Sequence, residues 1–159
     1  MPLYDRSSIL EVYKLSPDQF RELCRSTARI LQLDRPDALF DDDGVHLDGV
    51  KVGLFHAEDW DRDGIFCYAD LGSIDSCAAA PQLAEEMLAL NLELDSGLGE
   101  VIGIERQSRH LVFRARLDNG SKPLREAEVA EQLRSYAALA NELYQTVLAD
   151  LSRPAQHTA

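Results

Sequence analysis

The segment from Pro81 to Leu117 constrains this chain's fold most: an apolar helix, a glycine break and two alternating strands follow one another directly. In the helical part, Leu83, Met87, Leu90 and Leu94 return at the spacing that stacks side chains on one helical face. Leu88 and Leu92 widen that stripe beyond what one sheet covers, so a second subunit is expected to cover the remainder. After the Ser96 and Gly97 stop signal, Val101 to Gln107 and His110 to Asp118 alternate as strands, with Ser108 and Arg109 in the turn. Leu111, Phe113, Ala115 and Leu117 face one way. The segment supplies surfaces for packing and no recognisable catalytic group.

Upstream, Ser16, Pro17 and Gln19 form a helix start, with a cap, a proline at the first position and a partner for a capping box. The spacing predicts a helix from Pro17 to Leu33, ended by Arg35 and Pro36. Phe20, Leu23, Cys24, Ile30 and Leu31 form its core side. From Ala38 to Leu71 the period falls to two. Val45 and Leu47, then Val50, Val52 and Leu54, then Ile65, Cys67, Ala69 and Leu71 share like faces. Asp48 and Gly49 form a two-residue hairpin turn, since both tolerate positive φ. The opposite face carries Phe55, Phe66 and Tyr68, too large and apolar to be wholly solvated; a helix or a partner covers them. Asn119 and Gly120 close the second strand pair, and Pro123 opens a final helix through Leu124, Ala130, Leu133, Ala137, Ala140, Tyr144, Val147 and Leu151.

The resulting order is helix, three strands, helix, two strands, helix: an α+β fold around an antiparallel twisted sheet. Residues 1–15 read as an N-terminal arm or short helix around Ile9, Val12 and Tyr13, residues 16–152 as one domain, and residues 153–159 as a polar tail. At 159 residues, a chain buries roughly 70% of the surface its unfolded form exposes, enough for a single core.

Charge narrows the partners. Twenty-eight acidic against 16 basic side chains give a net charge of −12 without any basic cluster, which disfavours nucleic acid and anionic membranes. No apolar run approaches a membrane span, and Met1 to Arg6 do not read as a secretion signal, so a cytoplasmic location is expected. Cys24, Cys67 and Cys77 have the spacing of neither a disulfide framework nor a zinc site. Asp59, Asp61, Asp63 and Gly64 match the start of a calcium loop with Asp70 at its twelfth position, but the flanking segments read as strands, and turn chemistry makes it a hairpin loop. Asp41, Asp42, Asp43 and Gly44 read as a turn. His46, His56, His110 and His157 belong to no nucleophile elbow or metal pair. His56 beside Glu58 or Asp59 is the one acid and base pairing, and it ranks last among the readings. No enzymatic activity and no metal site are expected.

Two stretches carry a resemblance. Phe20, Arg21, Glu22, Leu23 and Cys24, continuing to Leu31, Gln32 and Leu33, form the first; Leu88 to Asn91 through Gly99, then Val101 to Ile104 and Leu111 to Phe113, form the second. With the element order, acidity and size, they resemble the class I type III secretion chaperones, the Tir chaperone (CesT-like) family, over most of residues 16–150. The resemblance implies a homodimeric, ATP-independent bacterial chaperone without cofactor that binds the N-terminal region of a secreted effector and keeps it export-competent. Carried onto this chain, it puts Leu83, Met87, Leu90 and Leu94 at the dimer interface and the client on the first helix and three-strand sheet, at Val52, Leu54, Phe55, Phe66 and Tyr68. Four leucine-sized client side chains at about 2 kcal/mol each would offset much of the cost of ordering an extended segment. The alternative is a dimeric adaptor or regulatory binding protein of the same fold outside secretion.

Overall fold

The computed structural model describes residues 15–57, 64–75, 77–94, 99–117 and 122–149. Helix α1, Pro17–Ile30, starts as its sequence dictates. Ser16 Oγ accepts the Gln19 N–H, the Gln19 side chain accepts the Ser16 N–H, and Pro17 stands in the first turn. The helix is three residues shorter than its apolar spacing predicts. Gln32 adopts a left-handed φ of 57°, its N–H bonds the Arg29 carbonyl, and the Leu33 N–H bonds that of Ala28. This pair of reversed bonds closes the helix with glutamine where glycine is usual.

Three strands follow: β1 Val45–Leu47, β2 Val50–Ala57 and β3 Gly64–Ser73. Asp48 and Gly49 link the first two, both at positive φ, as the turn signal requires. Helix α2, Ala80–Glu93, precedes β4, Val101–Ile104, and β5, His110–Arg116. β4 is shorter than its alternation suggests, because the Glu105 carboxylate takes the N–H groups of Gln107 and Ser108 and turns the chain early. Helix α3, Glu126–Gln145, opens three residues after Pro123, with the Glu128 carboxylate accepting the Arg125 N–H.

The strands form one antiparallel sheet in the order β1-β2-β3-β5-β4. The expected α+β architecture is therefore the observed one. Val52, Leu54, Cys67, Ala69, Phe113 and Ala115 share the face on which α3 packs, where the Phe113 and Tyr136 rings lie 4.8 Å apart. A register shift between Asp70 and Gly72 interrupts the β3–β5 pairing. There the Asp70 carbonyl takes the Tyr144 hydroxyl of α3, and the Asp70 carboxylate takes the Gly72 N–H. The Ser96–Gly97 and Asn119–Gly120 signals, Leu151 and the Asp59–Asp63 loop lie outside the described residues.

Candidate functional site

Cross-strand register assembles an aromatic cluster on the face opposite Val52 and Cys67. Phe55 stands opposite Phe66 and their rings stack at 5.3 Å; Gly53 stands opposite Tyr68. A Cβ at Gly53 would come within 2.5 Å of the Tyr68 ring, so glycine lets that ring lie flat across β2. Tyr68 also approaches Phe55, at 6.5 Å between ring centroids. Burial, followed by the charges of Asp42 and Asp70, raises the Tyr68 phenol above its ordinary pKa. The hydroxyl stays protonated at neutral pH.

β5 gives this cluster a polar border. Arg116, Arg114 and Val112 pair with Phe66, Tyr68 and Asp70, and the Arg114 guanidinium lies 5.2 Å from the Phe66 ring centroid. Lys51 stands opposite Asp70 on the other side. His110 Nδ1 is 2.9 Å from both Asp70 carboxylate oxygens. A cleft of about 370 Å³ runs between these groups, floored by Phe55, Tyr68 and Val112. It combines aromatic surface with charges of both signs, a mixture suited to holding an extended peptide.

Of the five residues assigned to a client from sequence, the structure brings Phe55, Phe66 and Tyr68 together here; Phe55 and Tyr68 are half-buried and Phe66 is buried. Val52 and Leu54 lie on the core side of the sheet, both buried. Leu54 also lines a second cavity, of about 240 Å³, between the start of α1 and β2, with Pro17, Phe20, Phe40, Phe55 and His56. Sequence reasoning missed the placement of Arg114, Val112 and Lys51 beside the aromatic cluster. The alternation that turns Leu111 and Phe113 inward already turns Val112 and Arg114 the other way.

At the far end of the sheet, Leu83 and Met87 are buried beneath α2 and Leu90 and Leu94 are partly buried against the same core. The outer ridge differs: Leu88 is 69% exposed, Leu92 88% and Ile104 of neighbouring β4 47%. Asn91 ties this helix to the strand. Its Nδ2 donates to the Ile102 carbonyl at 3.0 Å, and its Oδ1 accepts the Ile102 N–H at 2.7 Å.

Burial pushes the Cys24 and Cys67 thiols up to about 12, well away from a reactive thiolate. The His56 ring rests 5.6 Å from that of Phe20, and Glu58 and Asp59 lie outside the described residues. Among the described residues no group of His, Cys, Asp and Glu could hold a metal ion, and no helix is long and apolar enough to cross a membrane.

The chain matches the model of a known family, described as Tir chaperone protein (CesT) family, over residues 13–144. The chain belongs to the CesT family. Membership implies a chaperone role in type III secretion, and the family is one of binding proteins rather than enzymes. No curated protein matches the chain. In CesT terms, the match takes in the aromatic cluster, the α1–β2 cavity and the exposed ridge of α2, and leaves residues 1–12 outside.

Proposed function

We propose that this CesT-family chain is a cytoplasmic homodimer that binds the N-terminal region of a secreted effector and keeps it export-competent. The observation that carries the reading is the aromatic cluster of Phe55, Phe66 and Tyr68, held on one sheet face beside a cleft of mixed charge. An extended effector segment would lay alternate apolar side chains on Phe55 and Tyr68 while its polar groups meet Arg114, Asp70 and Lys51. Phe66 backs the two half-buried rings; Val52 and Leu54 support them from the core side. The required chemistry is exclusion of water from client side chains, for which no cofactor is needed.

The dimer contact in this proposal is α2. Leu88 and Leu92 meet the partner, Leu90 and Leu94 flank them, and Leu83 and Met87 anchor the helix from beneath. Exposed leucines in adjacent turns beside Ile104 form the apolar patch that a second copy would cover.

Affinity capture of the tagged chain from its own cells, with mass spectrometry and a mass measurement of the complex, tests the reading. The expected result is one secreted protein bound through its N-terminal region by two copies of the chain. Recovery of a cytoplasmic regulator instead would make the protein an adaptor. Phe55→Asp should reduce effector capture at least tenfold while leaving the circular dichroism spectrum unchanged, since about 1.4 kcal/mol of lost contact suffices for that factor.

A further inference from the structure

The cleft of about 370 Å³ is acidic at the end nearest β1. The turn before β1 is closed by the Gly44 N–H on the Asp41 carbonyl, with Gly44 at a φ of 58°, and Asp42 stands on the cleft wall. A Cβ at Gly44 would come within 2.9 Å of the Tyr68 hydroxyl, so this turn lies directly against the phenol. One face of the Tyr68 ring rests on Gly53, and the other lines the cleft. Most of the surrounding charges are already engaged. His110 and the Gly72 N–H hold Asp70, the Gln107 and Ser108 N–H groups hold Glu105, and Arg35 pairs with Asp41. The Arg114 guanidinium lies over Phe66. Asp42 and its neighbour Asp43 make no ion pair among the described residues, and Lys51 is the cation that stands against them. Burial first, then the charges of Asp42, Asp70 and Asp43, hold the Tyr68 phenol above its ordinary pKa.

We propose that this end of the cleft is a subsite for an arginine side chain of the bound polypeptide, its guanidinium flat on the outer face of Tyr68 and its charge beside Asp42 and Asp43. An aromatic floor with carboxylates at its edge attracts a cation twice, through the ring quadrupole and through charge. Arginine suits it better than lysine, because a planar guanidinium stacks on a ring and gives up less hydration. Its aliphatic stem would lie along Phe55 and Val112, which share the cleft. The chain uses the same pairing one strand position away, where Arg114 covers Phe66. A client carboxylate fits worse: it would face the carboxylates of Asp42, Asp70 and Glu105 while Arg114 is already placed on its ring. That the arginine belongs to an effector rests on the function proposed above; the preference for a cation rests on the cleft alone.

The probe is N-acetyl-arginine amide, whose capped ends leave the guanidinium as its one charge, titrated into the full chain at low ionic strength and followed by NMR. The Tyr68 ring protons and the Gly44 and Gly53 amides should shift together and saturably. The citrulline counterpart, nearly the same shape without the charge, should bind at least about threefold more weakly. Asp42→Asn/Asp43→Asn keeps residues that suit the turn and should weaken the arginine probe about threefold, with the amide signals of β2 and β3 otherwise in place. Lys51→Met removes the opposing cation and should strengthen it by a similar factor. Equal binding of the arginine and citrulline probes, tighter binding of N-acetyl-glutamate amide, or the absence of a saturable shift at Tyr68 would each overturn the subsite. Failure to capture an effector alters none of these readouts, and an overturned subsite leaves the aromatic cluster able to receive apolar client side chains.

Discussion

Helices α2 and α3 are both rich in leucine and alanine, yet they use that content differently. α3 buries eight of its 20 residues, and Val129, Ala130, Leu133 and Ala137 are inaccessible to solvent. α2 buries only Leu83 and Met87 of its 14 residues and presents Leu88 and Leu92 outward. The difference lies in how much of each stripe the chain's own sheet covers. A helix whose apolar stripe matches the width of its own sheet contributes to the fold, whereas the excess on α2 is the surface that the proposed dimer would cover.

The contrast breaks most visibly at buried positions. Leu133→Ala in α3 removes side-chain atoms from a site with no solvent access, and a loss of about 2–5 kcal/mol is expected in denaturant unfolding. Met87→Glu should be of similar size, because at 4% exposure the carboxylate has little water to reach. A folded chain tolerant of Met87→Glu would mean that the inner side of α2 is not core. Next in size is Asn91→Ala, which leaves both Ile102 backbone groups without their partner and should cost about 1–3 kcal/mol. Retained stability would show that water replaces the amide at no cost.

Leu88→Glu/Leu92→Glu sharpens the comparison from the other side. Both residues are exposed, so the isolated fold should change by no more than about 1 kcal/mol, while the mass in light scattering should fall by half relative to the unmodified chain. An unmodified chain that is already monomeric would remove the assembly role from α2. The smallest effect belongs to a turn outside both helices. Hydrogen bonds from the Ser108 and Gln107 N–H groups hold Glu105 down to about 2. A carboxylate depressed in the folded state adds stability that is complete above the ordinary glutamate range and is lost as pH falls toward 2. Glu105→Gln should therefore flatten the thermal stability profile only in acid; an unchanged acid limb would assign that limb to other carboxylates.

Periodicity carried the element order, because helix and strand spacing are written in local sequence. The Ser16 capping box and the Asp48–Gly49 turn were legible for the same reason. Boundaries set by longer-range geometry were not. Gln32 ends α1 in a conformation whose residue type gives no warning, and α3 starts at Glu126 though Pro123 suits a first turn. The site was half legible. Alternation put Phe55, Phe66 and Tyr68 on one face, but their neighbours Arg114 and Lys51 come from pairings across three strands, which no local pattern specifies. Likewise, the stripe of α2 announced an excess of apolar surface without saying which leucines its own sheet would take.

Asn91 has a further consequence. β4 is the last strand of the sheet, and the outward-facing backbone groups of Ile102 are already taken by an amide that imitates a neighbouring strand. An open strand edge is a template on which copies of a sheet can join edge to edge into fibres. With this side chain standing in for a strand, pairing along the β4 edge is blocked at Ile102.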